Sequence, residues 1–222
     1  MRETERDRQR ESTRRRLYDA AIEEIGREGL EAASVDRITR IAGTSRTAYY
    51  FHFPHKESVV ELLNGKLALE VSNALGTVER DAGLEAALEA SSGALVRFFG
   101  DRKRLAEAAT TVWLRARPAD RPRALLLDRV SRDPRIVPLD AEEFVDRLLL
   151  MQWVTVLGWS LGRHADLGEA LRALVDVVLY GVVGRAVMPQ RAPRREPTTP
   201  RLFTSRRVGR SSAGLAVESM HG

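Results

Sequence analysis

Apolar residues recur along this chain at spacings of three and four, and strand-like alternation is nearly absent. Leu17, Ala21, Ile22 and Ile25 share one face of a helix that Gly29 is placed to stop. Val35, Ile38 and Ile41 form the buried face of a second, short helix, with Ser34 as its N-cap candidate. Ser45 is the cap candidate for a third. Pro54 closes that third helix, because the residue before a proline is pushed out of the helical region, and it suits the first turn of a fourth over 55–75. Further helical segments follow over 83–100, 102–117 and 121–134, bounded by Pro118, Pro122 and Pro134, and then over about 141–163 and 167–188.

This pattern predicts an all-α protein with an N-terminal three-helix head, residues 1–60, and a C-terminal helical bundle, residues 61–188. From Pro189 the helical period disappears and prolines and arginines crowd in, so 189–222 reads as a disordered basic tail. The segments around 147–162 and 173–187 are apolar nearly all round, which predicts burial on every side. They fall short of the ~20 apolar residues needed to span a bilayer. A dimer interface is the expected outlet, with Gly158, Gly162, Gly181 and Gly184 permitting close helix approach.

Charge changes the picture less than its total suggests. The chain carries a formal +5. Residues 1–60 hold 12 basic and 11 acidic side chains, 61–188 hold 17 and 18, and 189–222 hold 7 and 2, so the excess lies in the tail. A case for nucleic acid must therefore rest on placement rather than bulk charge. There is no cysteine, which removes disulfides and thiolate metal sites and suits a cytoplasmic setting. The charged N-terminus is not followed by an apolar run, so no secretory signal is expected.

Placement is informative between Ala42 and Glu57. Gly43 supplies the positive φ of a tight turn between two short helices, and a helix, a short glycine turn and a helix make a helix-turn-helix. In that motif the second helix enters the major groove with its first residues toward the bases. Ser45 caps it. Arg46 and Thr47 take its first exposed positions, and an arginine can give two hydrogen bonds to guanine. Tyr50 offers a phenol to a phosphate. Tyr49 suits either a base or backbone contact or the core, and His52 a cap or backbone contact. Lys56 is one of only three lysines beside 33 arginines, and it is expected as a point charge against the DNA backbone. Thr39 is a further phosphate candidate. His52 and His55 lack a carboxylate cluster, so no metal site is expected.

The stretch from Ala42-Gly43-Thr44-Ser45 through Tyr50-Phe51-His52-Phe53 to Lys56-Glu57, with Ala20-Ala21, Gly29, Ser34-Val35 and Ile38 upstream, resembles the DNA-binding head of the tetracycline-repressor (TetR) family. Thr44, Thr47, Ala48 and Tyr49 depart from the family's usual valine, glycine, threonine and leucine. The resemblance implies a homodimer joined by its two C-terminal helices, and a body that holds a small-molecule ligand. It also implies a repressor released from a palindromic operator when the ligand shifts the separation of the heads. Trp113, Arg117, Trp153 and Phe98 are the candidate ligand contacts. The other readings are a small-molecule binding module and a protein-responsive regulator without a pocket. No carboxylate pair, histidine cluster or phosphate loop points to an enzyme or a cofactor.

Overall fold

The computed structural model describes residues 4–116, 121–133 and 140–187, with the side chains at 180 and 182–187 excepted. The tail read as disordered, 189–222, lies outside the described residues. Among those described, the regular structure is helical: α1 (Glu5–Glu28), α2 (Val35–Ile41), α3 (Arg46–His52), α4 (Glu57–Thr77), α5 (Gly83–Phe99), α6 (Lys103–Ala116), α7 (Arg121–Val130), α8 (Ala141–Ser160) and α9 (Leu167–Val187).

Helix α1 begins well before its apolar face. Thr4 and Asp7 form a capping box: the Asp7 N–H donates to Thr4 Oγ1 at 3.2 Å, and the Thr4 N–H donates to Asp7 Oδ2 at 3.1 Å. Two orphan donors are thus satisfied, and the helix can start in a segment without core residues. Gly29 stops it as expected, with φ +86° and its N–H on the Ile25 carbonyl at 2.8 Å.

Ser34 takes the N-cap position of α2 with extended backbone, as expected, but its side chain makes no cap bond; its backbone N–H donates to Glu24 Oε1 at 3.1 Å. Glu24 is fully buried and also receives Arg27 at 2.5 Å and Arg37 at 3.0 Å, so its charge is compensated and ties α1 to α2. Ile41 is not on the buried face but 47% exposed, because the inward stripe is Val35, Ile38, Thr39 and Ala42, at i, i+3, i+4 and i+7. Pro54 lies in the bend ahead of α4 rather than in its first turn.

Helix α4 runs through the expected boundary at residue 60. Its first turns bury Val59 and Val60, and it then packs on α5, α6 and α7. Helix α6 packs on α8, and α9 lies against α5 and α8. One continuous apolar core joins these elements to the head, where α1 lies against both α4 and α6.

The all-round apolar reading of α8 and α9 resolves into two faces. Val145, Leu148, Val156 and Trp159 face the core, while Met151, Val154 and Leu161 form an exposed stripe, matched on α9 by Val177 at 63% exposure. The glycines differ too. Gly158 has the His164 ring 3.2 Å from where a Cβ would stand, so that space is filled from within the chain, and Gly162 serves a turn at φ +75°. Gly181 has open space. Gly184 falls on a side-chain position outside the described residues.

Candidate nucleic-acid interface and body cavity

The turn before α3 is built as its residues require. Gly43 takes φ +62°, the Ala42 N–H reaches Ile38 O at 2.9 Å, and the Thr44 N–H reaches Thr39 O at 2.9 Å. Ser45 then caps α3, its Oγ accepting the Ala48 N–H at 3.1 Å. Two rings anchor the helix from beneath. Tyr49 and Phe53 are buried with centroids 5.8 Å apart, packed with Leu17, Ala21 and Ile38 in the head core.

Tyr49 is therefore a core residue and not a DNA contact. Its hydroxyl has no hydrogen-bond partner, and burial pushes the phenol up to about 12. The outward face of α3 carries Arg46, Thr47, Tyr50 and Phe51, all exposed, with Tyr50 at 45% and Phe51 at 66%. Arg46 is held in place: its Nη1 donates to both oxygens of Asp36 on α2, at 2.8 and 3.0 Å. The hydrogen bonds it makes, to Asp36 first and to Tyr50 next, hold its guanidinium above the ordinary arginine range. Arginine, threonine and phenol thus form one exposed polar cluster at the start of α3.

Two further candidates are engaged inside the fold. The Lys56 ammonium donates to the carbonyls of Leu30 at 2.9 Å, Glu31 at 2.8 Å and Ala33 at 3.3 Å. All three of its donors are used on the α1–α2 connection, so it is a clamp rather than a free charge for phosphate. Thr39 is buried, its hydroxyl donating to Asp36 O at 3.2 Å, so it too is no surface contact.

Beside the exposed face of α3 stand residues that sequence reading missed. Because α1 starts at Glu5, its Arg10 and Arg14 stand beside the end of α3. The Arg10 guanidinium lies 5.0 Å from the centroid of the Phe51 ring, which meets His52 edge-on at 5.2 Å. Partial burial, then Arg10 and Arg14, lower the His52 pKa, against a smaller opposing effect of Glu11. His52 thus shares a corner with Arg10 and Arg14 and with the carboxylates of Asp7 and Glu11. The Thr4–Asp7 capping box was the available signal for this extension.

In the body, α4, α5, α6, α7 and α8 enclose a cavity of about 520 Å³ whose lining is mainly apolar. Trp113 and Trp153 both line it, stacked with centroids 5.2 Å apart and planes 23° from parallel. Phe98 does not. It is half-buried elsewhere, edge-on to Phe99, with the Arg102 guanidinium 6.0 Å from its ring centroid. Arg117 lies outside the described residues. Among the described residues no group of His, Asp and Glu is arranged to hold a metal, and no helix is long and apolar enough to cross a membrane.

Residues 17–63 match the sequence model of a family described as bacterial regulatory proteins, tetR family. The HTH-type transcriptional regulator SrpR of Pseudomonas putida is 43% identical over 51 residues, which cover 23% of this chain and 24% of that protein. The match to this curated relative is thus confined to about a quarter of its length. A TetR-like transcriptional regulator from Rhodococcus sp. RHA1 superposes with a TM-score of 0.56 at 16% identity, covering 78% of this chain and 96% of that one. FadR of Thermus thermophilus, a TetR-family transcriptional repressor solved with lauroyl-CoA, superposes at 0.54 with 22% identity over 84% and 98% of the two chains. At these identities the solved structures establish the fold.

Proposed function

We propose that this chain, which belongs to the TetR family of bacterial transcriptional regulators, acts as a homodimeric repressor released from its operator by a small, largely apolar ligand. The observation that carries the DNA-reading part is the division of α3 into two faces. Tyr49 and Phe53 pin it from below, while Arg46, Thr47 and Tyr50 stand together on the exposed side behind a capped N-terminus. A short helix held this way presents its first turn to base edges, with Arg46 suited to guanine O6 and N7. Tyr50, and Arg10 over the exposed Phe51 ring, suit the flanking phosphates.

A dimer is supported by the apolar stripe of Met151, Val154 and Leu161 beside Val177, with Gly181 leaving room for a second helix. The ligand role is supported by the tryptophan-walled cavity, whose size falls within the ~300–1,000 Å³ common to small-molecule sites. Helix α4 is the connection between the two. Its N-terminus is clamped to the head by Lys56, and its middle supplies Asn64, Gly65 and Ala68 to the cavity wall. A ligand that moves α4 moves the α1–α2 connection with it.

Selection of bound DNA from a random pool tests this reading. The expected product is a pseudo-palindrome with half-sites about one helical turn apart or slightly more, bound with a steep loss of affinity as salt rises. Failure to enrich any sequence, with the protein folded, contradicts it.

A further inference from the structure

We propose that Phe51 is a specificity-determining residue of the DNA interface: its ring, steadied by Arg10 of α1, meets the C5 methyl group of a thymine in the major groove. The inference rests on the reading of α3 as the helix that enters DNA, and adds to it a base contact made without a hydrogen bond.

At 66% exposure Phe51 is the most open of the large apolar side chains among the described residues. A single exposed apolar residue calls for no explanation by itself. This one stands on the face that Arg46, Thr47 and Tyr50 share, about one helical turn after Thr47. Its neighbours hold the ring without covering it. The Arg10 guanidinium lies 5.0 Å from the ring centroid, and the His52 ring meets it edge-on at 5.2 Å. The charges of the surrounding recess balance. The Asp7 carboxylate accepts from the Thr4 N–H and hydroxyl, and Glu11 Oε2 lies 3.9 Å from Arg14 Nη1. With Asp7 and Glu11 set against Arg10 and Arg14, the recess does not attract a phosphate by net charge, and the ring is what sets it apart.

The chemistry of the groove then selects the partner. A phenyl ring has no N–H, O–H or oxygen with which to read guanine, cytosine or adenine. The feature of the major groove that an apolar side chain matches is the thymine methyl group. Thr47 offers a methyl group on the same face, with far less apolar surface. Five residues separate Arg46 from Phe51, a rise of about 7.5 Å along α3, which corresponds to about two base-pair steps. The thymine should therefore lie about two base pairs from the guanine that Arg46 reads.

The test replaces each thymine of one half-site of the selected operator in turn with deoxyuridine, which removes only the C5 methyl group. Each duplex is titrated with the full chain at fixed salt. One replacement should weaken the wild type about fourfold, the worth of one buried methyl group. Phe51→Ala should bind the thymine and deoxyuridine duplexes equally. Because the position is exposed, that variant should unfold within about 2 °C of the wild type. Thr47→Ser, which removes the competing methyl group and keeps the hydroxyl, should retain the fourfold difference. Indifference of the wild type to every replacement overturns the proposal. So does a difference that persists in Phe51→Ala or one that disappears in Thr47→Ser. A chain that selects no operator overturns the regulator reading and this contact with it, whereas one that binds its operator with no methyl dependence overturns the contact alone.

Discussion

Lys56 and Asn64 stand about two turns apart along α4, in opposite chemical conditions. The Lys56 ammonium donates to three carbonyls of the head, using every donor it has. Asn64 spends its amide on Ala109 and leaves its oxygen with nothing. The same helix is thus tightly fastened at the head and carries one buried, unpaired oxygen in the body. The head end of α4 is held by hydrogen bonds, and its middle borders the body cavity. Tyr49 refines the point. Its hydroxyl is also buried and unpaired, but it lies in the packed core of the head and borders none of the cavities described above.

Phe53→Ala should break the head side of this comparison most severely, by about 3–5 kcal/mol, because it removes a buried anchor of α3. Denaturant unfolding should record the loss, and a change below about 1 kcal/mol would mean that α3 is held by something else. Lys56→Met should cost about 1.5–3 kcal/mol, since charged hydrogen bonds to three carbonyls disappear. Its effect on DNA should be a uniform weakening through a looser head. If instead stability is unchanged and only the salt slope of binding falls, the lysine is a phosphate contact.

Tyr49→Phe should be neutral or slightly stabilising at neutral pH, within about 0.5 kcal/mol, because the hydroxyl it removes has no partner. Its effect should appear in alkali. Tyr18 and Tyr49 both have their phenols raised from 10.0 to about 12, chiefly by burial. The folded state therefore keeps protons that the unfolded chain releases. The stability they contribute is whole below pH 10 and declines as pH climbs from about 10 toward 12. The urea midpoint should fall across that window, and Tyr18→Phe and Tyr49→Phe should each flatten the fall. An unaltered slope in both variants would remove burial as the cause.

Much of the fold was legible because helices announce themselves locally. The three- and four-residue apolar spacing, Gly29, Gly43, Ser45 and Pro54 place the head's elements. What was not legible depends on distant partners. Lys56 looked like a surface charge because nothing near it in the chain marks Leu30, Glu31 and Ala33 as its acceptors. Thr39 and Ile41 exchanged roles because packing against α1 chooses which side of a two-turn helix faces in. Phe98 and Phe99 are neighbours, yet the helical step turns Phe99 toward Trp153, with centroids 6.4 Å apart, and leaves Phe98 off the cavity. An unpaired Asn64 oxygen cannot be read from sequence, since it is defined by what fails to reach it.

The central claim is that the first turn of α3 reads bases and that Arg46 is the residue that discriminates among them. The most direct test takes the selected operator, with every single-base change in one half-site, and compares binding by the wild type and Arg46→Ala at fixed salt. The account predicts that the variant loses about 1–3 kcal/mol of discrimination at one or two positions and keeps the wild-type preferences elsewhere. A variant that matches the wild type at every position, or weakens equally at all of them, contradicts it.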